Sequence, residues 1–303
     1  MRTIVLGGRA PLLAGNPVPW PLKADTTFDL GDLSFVTPFD LVSLAVLAGA
    51  AREDLHLRVV PPVDTQVCAY LQRMDLFTVL GRRIRVEPDL PEERPREADR
   101  ALIELHRLEH PDEIDDLSKE FWPRLRSRLP QEVCANLFEI LGELVDNAAT
   151  HGASAAGSFI AAQYYSGATS GMPEGMWIGV GDAGIGIRSH LAGNPRHSGL
   201  PSDVAAIQLA VQKWVTGTAD RRGWGLVKVL EAAGEAAPGI VVIRSGRGEG
   251  RFYVGPTGTR TARYRYLPHR TPGTSVHVLA GHIRSLTRSG MWGTLSSYSW
   301  KTR

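Results

Sequence analysis

Cysteine is nearly missing: the 303 residues hold two, Cys68 and Cys134. Two thiols so far apart make neither a disulfide framework nor a metal-ligand pair, so buried free thiols in a reducing compartment are expected. An excess of one charge is missing too. The 34 Lys and Arg against 32 Asp and Glu leave a formal net charge of +2, which singles out neither nucleic acid nor a membrane surface as a partner. Long apolar runs are lacking as well. No apolar stretch precedes Pro11 that would make a signal peptide. The best run, Leu41 to Ala51, is too short to cross a bilayer. The expectation is a cytoplasmic protein that meets no membrane. There is no internal repeat and no low-complexity tract.

What is present suits a globular chain. Hydrophobic residues make up 43% and charged residues 22%, enough apolar material for a core in one or two domains. Residues 1–24 are rich in Pro and Gly and read as irregular. TTFDLGDLSFV (26–36) reads as a strand or a short pair of strands, and Pro38 sits where a helix over 39–52 can begin. HLRVV (56–60) reads as a buried strand ended by Pro61 and Pro62, and 63–77 as an amphipathic helix. Strand, helix, strand, helix is the order of an α/β unit.

Residues 82–99 are charged, carry three prolines and mark a boundary. The division that follows is a first domain at 1–90, a linker at 91–110, a second domain at 111–285 and a tail at 286–303. In the second domain 112–128 reads as helical and 131–150 is the clearest helix of the chain. There Val133, Leu137, Ile140, Leu141, Leu144 and Ala148 form one stripe. Strands are expected at 158–166, 176–182, 239–246, 250–255 and 273–280, and helices at 202–215 and 225–233. This pattern predicts a two-layer α/β sandwich.

Three constellations carry chemistry. In ELVDNAATHG (143–152), Glu143 and Asn147 share a helix face at the border of the apolar stripe. The Asn147 carbonyl oxygen suits a hard cation such as Mg²⁺, and Glu143 can orient and deprotonate a nucleophile. In GVGDAGIGI (179–187) an acid, Asp182, ends a strand. Gly184 and Gly186 then let backbone approach a ligand closely, and Asp182 can accept a hydrogen bond from an exocyclic amine. In RRGWGLVKVLEAAG (221–234) two glycines open a helix whose N–H groups favour phosphate oxygens, and Arg221 or Arg222 can add countercharge.

Taken in this order, the three resemble the N, G1 and G2 boxes of the GHKL superfamily, which includes gyrase-type topoisomerases, ninety-kilodalton heat-shock chaperones, histidine kinases and mismatch-repair ATPases. The matching residues are Glu143, Asn147 and His151; Asp182, Gly184 and Gly186; and Gly223, Gly225 and Leu226, with Arg222 beside them. PGTSVHV (272–278) resembles the family's late Gly-Thr strand, with Thr274 in the threonine's place. Over roughly 110–280 the resemblance implies the Bergerat α/β sandwich, with nucleotide between helices and a mixed sheet. It further implies ATP and Mg²⁺ as cofactors, Glu143 as general base, Asn147 as Mg²⁺ ligand, Asp182 as adenine partner and 187–222 as a mobile lid. No lysine downstream stands clearly where the topoisomerase and mismatch-repair branches place theirs, and the chain ends soon after the Gly-Thr strand. The resemblance is therefore to the histidine kinases and anti-sigma serine kinases.

The first 90 residues are similar to STAS domains of the anti-anti-sigma kind, although TPFDL stands where those carry DSxGL. That likeness makes Ser34, Thr37 and Ser43 candidate phosphoacceptors, and capping by Thr37 is the competing reading. His106 and His110 lack the surroundings of a phosphoacceptor histidine and read as exposed side chains. Three functions remain open: an ATP-dependent switch, a serine/threonine kinase acting on a STAS-like or sigma-pathway partner, and a module for which ATP is only a ligand. Oligomeric state stays open.

Overall fold

The computed structural model describes residues 1–15, 18–81, 83–90, 102–110, 113–127, 129–151, 157–165, 174–217, 225–235, 239–255 and 260–280. The architecture is α/β. The first part of the chain runs β1 (Arg2–Val5), β2 (Gly8–Arg9), α1 (Pro11–Ala14), β3 (Thr26–Asp29), β4 (Leu33–Phe35), α2 (Pro38–Ala50), β5 (Leu57–Val60), α3 (Thr65–Arg73), α4 (Leu76–Leu80) and β6 (Arg85–Val86). Four of these strands form a parallel sheet in the order β1-β3-β5-β6, and β2 pairs with β4 beside it. Residues 1–24, expected to be irregular, hold β1, β2 and α1. RTIV is too short to show a period, and its edge pairing comes from β3. The single helix expected over 63–77 is broken at Asp75, whose φ of 55° is left-handed, a conformation Asp tolerates better than most residues.

The rest of the chain runs β7 (Leu102–Leu108), α5 (Glu113–Arg126), α6 (Gln131–His151), β8 (Ser158–Tyr165), β9 (Gly175–Asp182), α7 (Gly186–Ala192), a 3₁₀ turn (Pro195–His197), α8 (Asp203–Ala210), α9 (Gly225–Glu235), β10 (Gly239–Val254) and β11 (Arg260–Ala280). Five strands make one sheet in the order β10-β11-β9-β8-β7. Every pairing in it is antiparallel, where the resemblance implies a mixed sheet. β7 falls inside the span read as linker: Ile103 and Leu108 are buried in the core under α6 and Leu105 in the cluster around α2, with a register shift between Ile103 and His106, and pairing with β8 alone makes β7 the edge strand. The two strands expected at 239–246 and 250–255 are one. Gly246, at φ 58°, makes a bulge there, and pairing resumes after it.

Each face of this sheet has its own cover. On one face lie α5, α6 and α9, around a core that includes Leu137, Ile140, Leu144, Val229 and Leu230 together with Ile160, Val180, Val276 and Ile243 of the strands. The stripe expected on α6 is that core, with Val133 packed at its rim. On the other face lies α2, a helix of the first unit. It begins with Thr37 as N-cap in a capping box with Asp40 and with Pro38 in the first turn, a strong start signal. Buried residues run along it from Pro38 to Ala48. A helix that is apolar all round is buried all round. One apolar cluster runs from Phe28 and Val59 of the parallel sheet, through Val42 and Val46 of α2, to Phe159 and Ala161 of β8. Both cysteines are buried and free. Among the described residues no helix is long and apolar enough to cross a membrane.

α2 can sit so close because β9 has no side chains there. A Cβ on Gly179 would stand 2.7 Å from the Pro38 carbonyl oxygen, and one on Gly181 would stand 2.9 Å from Val42 Cγ1. The first contact is with backbone, which cannot rotate away. Gly179→Ala should therefore cost about 1–3 kcal/mol, the range of an overpacked core. Gly142, in α6, has open space where a Cβ would go, so Gly142→Ala should stabilise by about 0.5–1 kcal/mol. Urea unfolding of the two variants beside the parent checks both signs.

Candidate functional site

At one end of the antiparallel sheet four polar side chains stand in a row across four strands. Ser158 is opposite Asp182, Asp182 is opposite Thr274, and Thr274 is opposite Ser245. The two-residue period of strands places them on the α6 face, in line with Ile160, Val180, Val276 and Ile243. Ser158 donates from Oγ to the Ala148 carbonyl of α6 at 2.9 Å. Ser245 Oγ accepts from the Ile187 N–H at 2.9 Å, donates to the Gly273 carbonyl at 3.1 Å and lies 3.3 Å from Thr274 Oγ1. The row thus joins α6, α7 and the β11 turn. Gly186, at φ 78°, would put a Cβ 2.9 Å from Ser245 Oγ, so this turn needs glycine for both its torsion and its space.

Asp182 is the charged member of the row and is buried. Burial pushes its pKa up to about 6, against the pull of N–H donors from Gly184 and Thr274. The Gly184 bond is 2.8 Å to Oδ1. A buried carboxyl with donors on one side is suited to accept from a ligand amine on another.

The second group is one residue along α6 from the Ser158 anchor. Asn147 and Glu143 are half-buried at the edge of the stripe. The Asn147 Nδ2 donates one of its two N–H groups to the Glu143 carbonyl at 2.6 Å, and the side chain's acceptor is Oδ1. Gly225, the first residue of α9, faces both: a Cβ there would lie 2.6 Å from Asn147 Nδ2 and 3.2 Å from Glu143 Oε2. Leu226 packs on the core beneath. The helix that carries the acid and amide therefore meets the start of the glycine helix. Lys228, one turn into α9, is ion-paired to Glu143 Oε1, and this raises the lysine pKa. Sequence reasoning passed over Lys228, although the spacing in GLVK puts it on the same side of the helix as Gly225. Ser158 and Ser245 were missed because only strand register brings them to Asp182.

Other expected sites fall differently. His151 is the last residue of α6, and Arg222 and Gly223 lie outside the described residues, as does the tail at 286–303. The stretch 187–222 is not one loop. Residues 186–210 hold α7, the 3₁₀ turn and α8, with Leu191, Ala206 and Ile207 buried, because apolar residues at helical spacing outweigh the glycines between them. Thr37 is fully buried and serves as the cap of α2, so its hydroxyl cannot meet a kinase in this state; Ser34 is exposed and Ser43 half-buried. His106 lies 2.8 Å from Glu113 and is partly, not fully, exposed. A cavity of about 610 Å³ is bordered by Gly184 and Gly186 but not by Glu143, Asn147, Asp182 or Thr274.

No protein-family model and no curated protein matches the sequence. Among solved structures, a "Crystal Structure of N terminal domain of a DNA repair protein" is similar at 18% identity. The match covers 40% of this chain and 31% of that one, with a TM-score of 0.17. So slight a likeness carries no argument about fold or function.

Asp182 gives a pH test. Its folded pKa lies above the ordinary carboxylate value, so its contribution to stability is full below about pH 4 and is lost as pH rises through about 6. Asp182→Asn keeps an acceptor for Gly184 and removes the buried charge. It should stabilise the protein by about 2–3 kcal/mol at pH 7.5, a gain that shrinks at pH 5. Thermal unfolding at the two pH values measures it, and equal gains at both would refute the buried-charge account.

Proposed function

We propose that the chain binds ATP with Mg²⁺ on the α6 face of its antiparallel sheet and that the bound nucleotide acts as a switch, with hydrolysis or phosphoryl transfer at the same place. The observation that carries this reading is the convergence of separate motifs. Glu143, Asn147 and Gly225 meet across α6 and α9, and one residue further along α6 the Ser158 bond leads to the row that holds Asp182 and Thr274.

The roles follow from chemistry. Asp182 accepts from the adenine amine, with Thr274 beside it. The N-terminus of α9, which begins at Gly225, would offer N–H groups to phosphate oxygens. Among the described residues no cluster of three or more His, Cys, Asp or Glu could hold a metal ion. Mg²⁺ takes few protein ligands and fills its shell with phosphate oxygens and water. Asn147 Oδ1 would be the protein ligand, oriented by the bond Nδ2 makes to the Glu143 carbonyl, and the ion would neutralise phosphate charge. Glu143 can orient the attacking group through Oε2.

The Lys228 pair supports a second reading, in which ATP is held and not cleaved. A carboxylate engaged by an ammonium is a poorer base until the pair opens. For a kinase acting on the chain's own first unit, the burial of Thr37 leaves the exposed Ser34 and the half-buried Ser43 as acceptors.

Incubation with γ-labelled ATP and Mg²⁺ separates these. Asn147→Ala should lower Mg²⁺-dependent ATP affinity by about tenfold or more, the loss of a charge-assisted contact; unchanged affinity sinks the site. Label in free phosphate that is lost in Glu143→Gln marks hydrolysis. Label on protein marks a kinase. Bound ATP with neither marks a ligand.

A further inference from the structure

The cavity of about 610 Å³ borders Gly184, Gly186 and Ser245 of the candidate site but none of Glu143, Asn147, Asp182 and Thr274. It lies where the two units meet. Its walls come from the C-terminal end of α2 (Ala45, Ala48), from α4 and the residues after it (Val79, Leu80), from the β9–α7 turn (183–186) and from 270–273 of β11. Its volume is in the range of small-molecule sites.

The charge of the walls is one-sided. Five arginines line the cavity (Arg52, Arg83, Arg107, Arg188 and Arg270) against two acids, Glu53 and Asp203. Their engagements sort them. Arg52 is paired with Asp54, and Arg83 is spent on the carbonyls of Ala51 and Leu55, where it caps the end of α2. Asp203 is buried and accepts from the backbone N–H of Arg247 at 2.8 Å, which engages one of its oxygens. Arg188 is exposed and gives one guanidinium nitrogen to the Leu200 carbonyl, which leaves it four more N–H donors. Arg270, on β11, is exposed. Trp20, Ala48 and Phe159 supply an apolar lining that includes one half-buried indole.

We propose that this cleft is a second ligand site, for a small organic anion whose phosphate or carboxylate meets Arg188 and Arg270 and whose planar body lies against Trp20. Guanidinium forks match the oxygens of either group, and an indole face takes a flat ring. The site does not depend on the nucleotide reading, because Glu143, Asn147, Asp182 and Thr274 are not among its walls. It does share the turn that follows Asp182, so its ligand would press on one side of a turn whose other end holds the candidate adenine partner.

The test uses the full chain with phenyl phosphate, benzoate and inorganic phosphate as probes, followed by calorimetry and thermal unfolding. Phenyl phosphate or benzoate should bind and raise Tm, and the two together tell a phosphate preference from a carboxylate one. The double variant Arg188→Glu, Arg270→Glu should weaken binding by about tenfold or more with its own Tm little changed, since both side chains are exposed. Arg188→Lys, Arg270→Lys should restore part of it, and Trp20→Ala should weaken the aromatic probes alone. Asn147→Ala should leave these probes bound. The proposal is overturned if none of the probes binds the parent chain, if inorganic phosphate binds as tightly as phenyl phosphate, if charge reversal changes nothing, or if binding is lost in Asn147→Ala instead.

Discussion

The two units are held together by charges that grip a helix of four residues. The N–H groups of Leu12 and Leu13 in α1 donate to Asp40 at 2.7 and 3.0 Å. The carbonyls of the same two residues accept from Arg244, and Leu13 also accepts from Arg251. Arg244, Arg251 and Arg265 all converge on Glu249, which is fully buried. Burial raises the pKa of Asp40, whereas the three guanidiniums outweigh burial at Glu249 and hold its carboxyl far below the ordinary range. A helix this short cannot satisfy its own backbone groups. Here one end is answered from α2 and the other from β10, so α1 is a bolt between the first unit and the second.

Asp40 does two things at once. It receives α1, and it closes the capping box that starts α2. The position of α2 is therefore set by the same carboxylate that fixes α1, and α2 in turn is the cover of the antiparallel sheet. Gly179 and Gly181 receive it on one face of β9, while Asp182, the next residue, turns to the other face. The candidate adenine partner thus ends a strand clamped from behind. A site built on such an element is held more firmly than one carried on loops.

How much of this was readable in the sequence depends on how local each feature is. The stripe of α6 and the Thr37-Pro38 start of α2 follow from periodicity and capping, both short-range signals, whereas the nearness of Gly225 to Glu143 and Asn147 was suggested only by the family resemblance of the motifs taken in order. β7 was hidden because it sits beside a charged, proline-rich stretch. Gly179 and Gly181 were read together with Gly184 and Gly186 as one glycine-rich motif, yet the first pair serves packing and the second a turn. Composition cannot tell those uses apart; only the helix lying on the strand does. The Ser158 and Ser245 contributions, the Glu249 cluster and the cleft between the units arise from partners far apart in the chain, and no local pattern announces them.

Sharing α2 between two cores limits the ways in which this protein can move. A two-domain switch commonly swings its halves about a linker. Here such a swing would strip a helix that is apolar on all sides from a sheet face and take the Leu12 and Leu13 carbonyls away from the buried Arg244, which leaves charged donors without their partners. Any message passed from one half to the other must therefore travel as small slides of α2 along β9, or as ordering of the turns at its ends, the shear mode of packed helices and not the hinge.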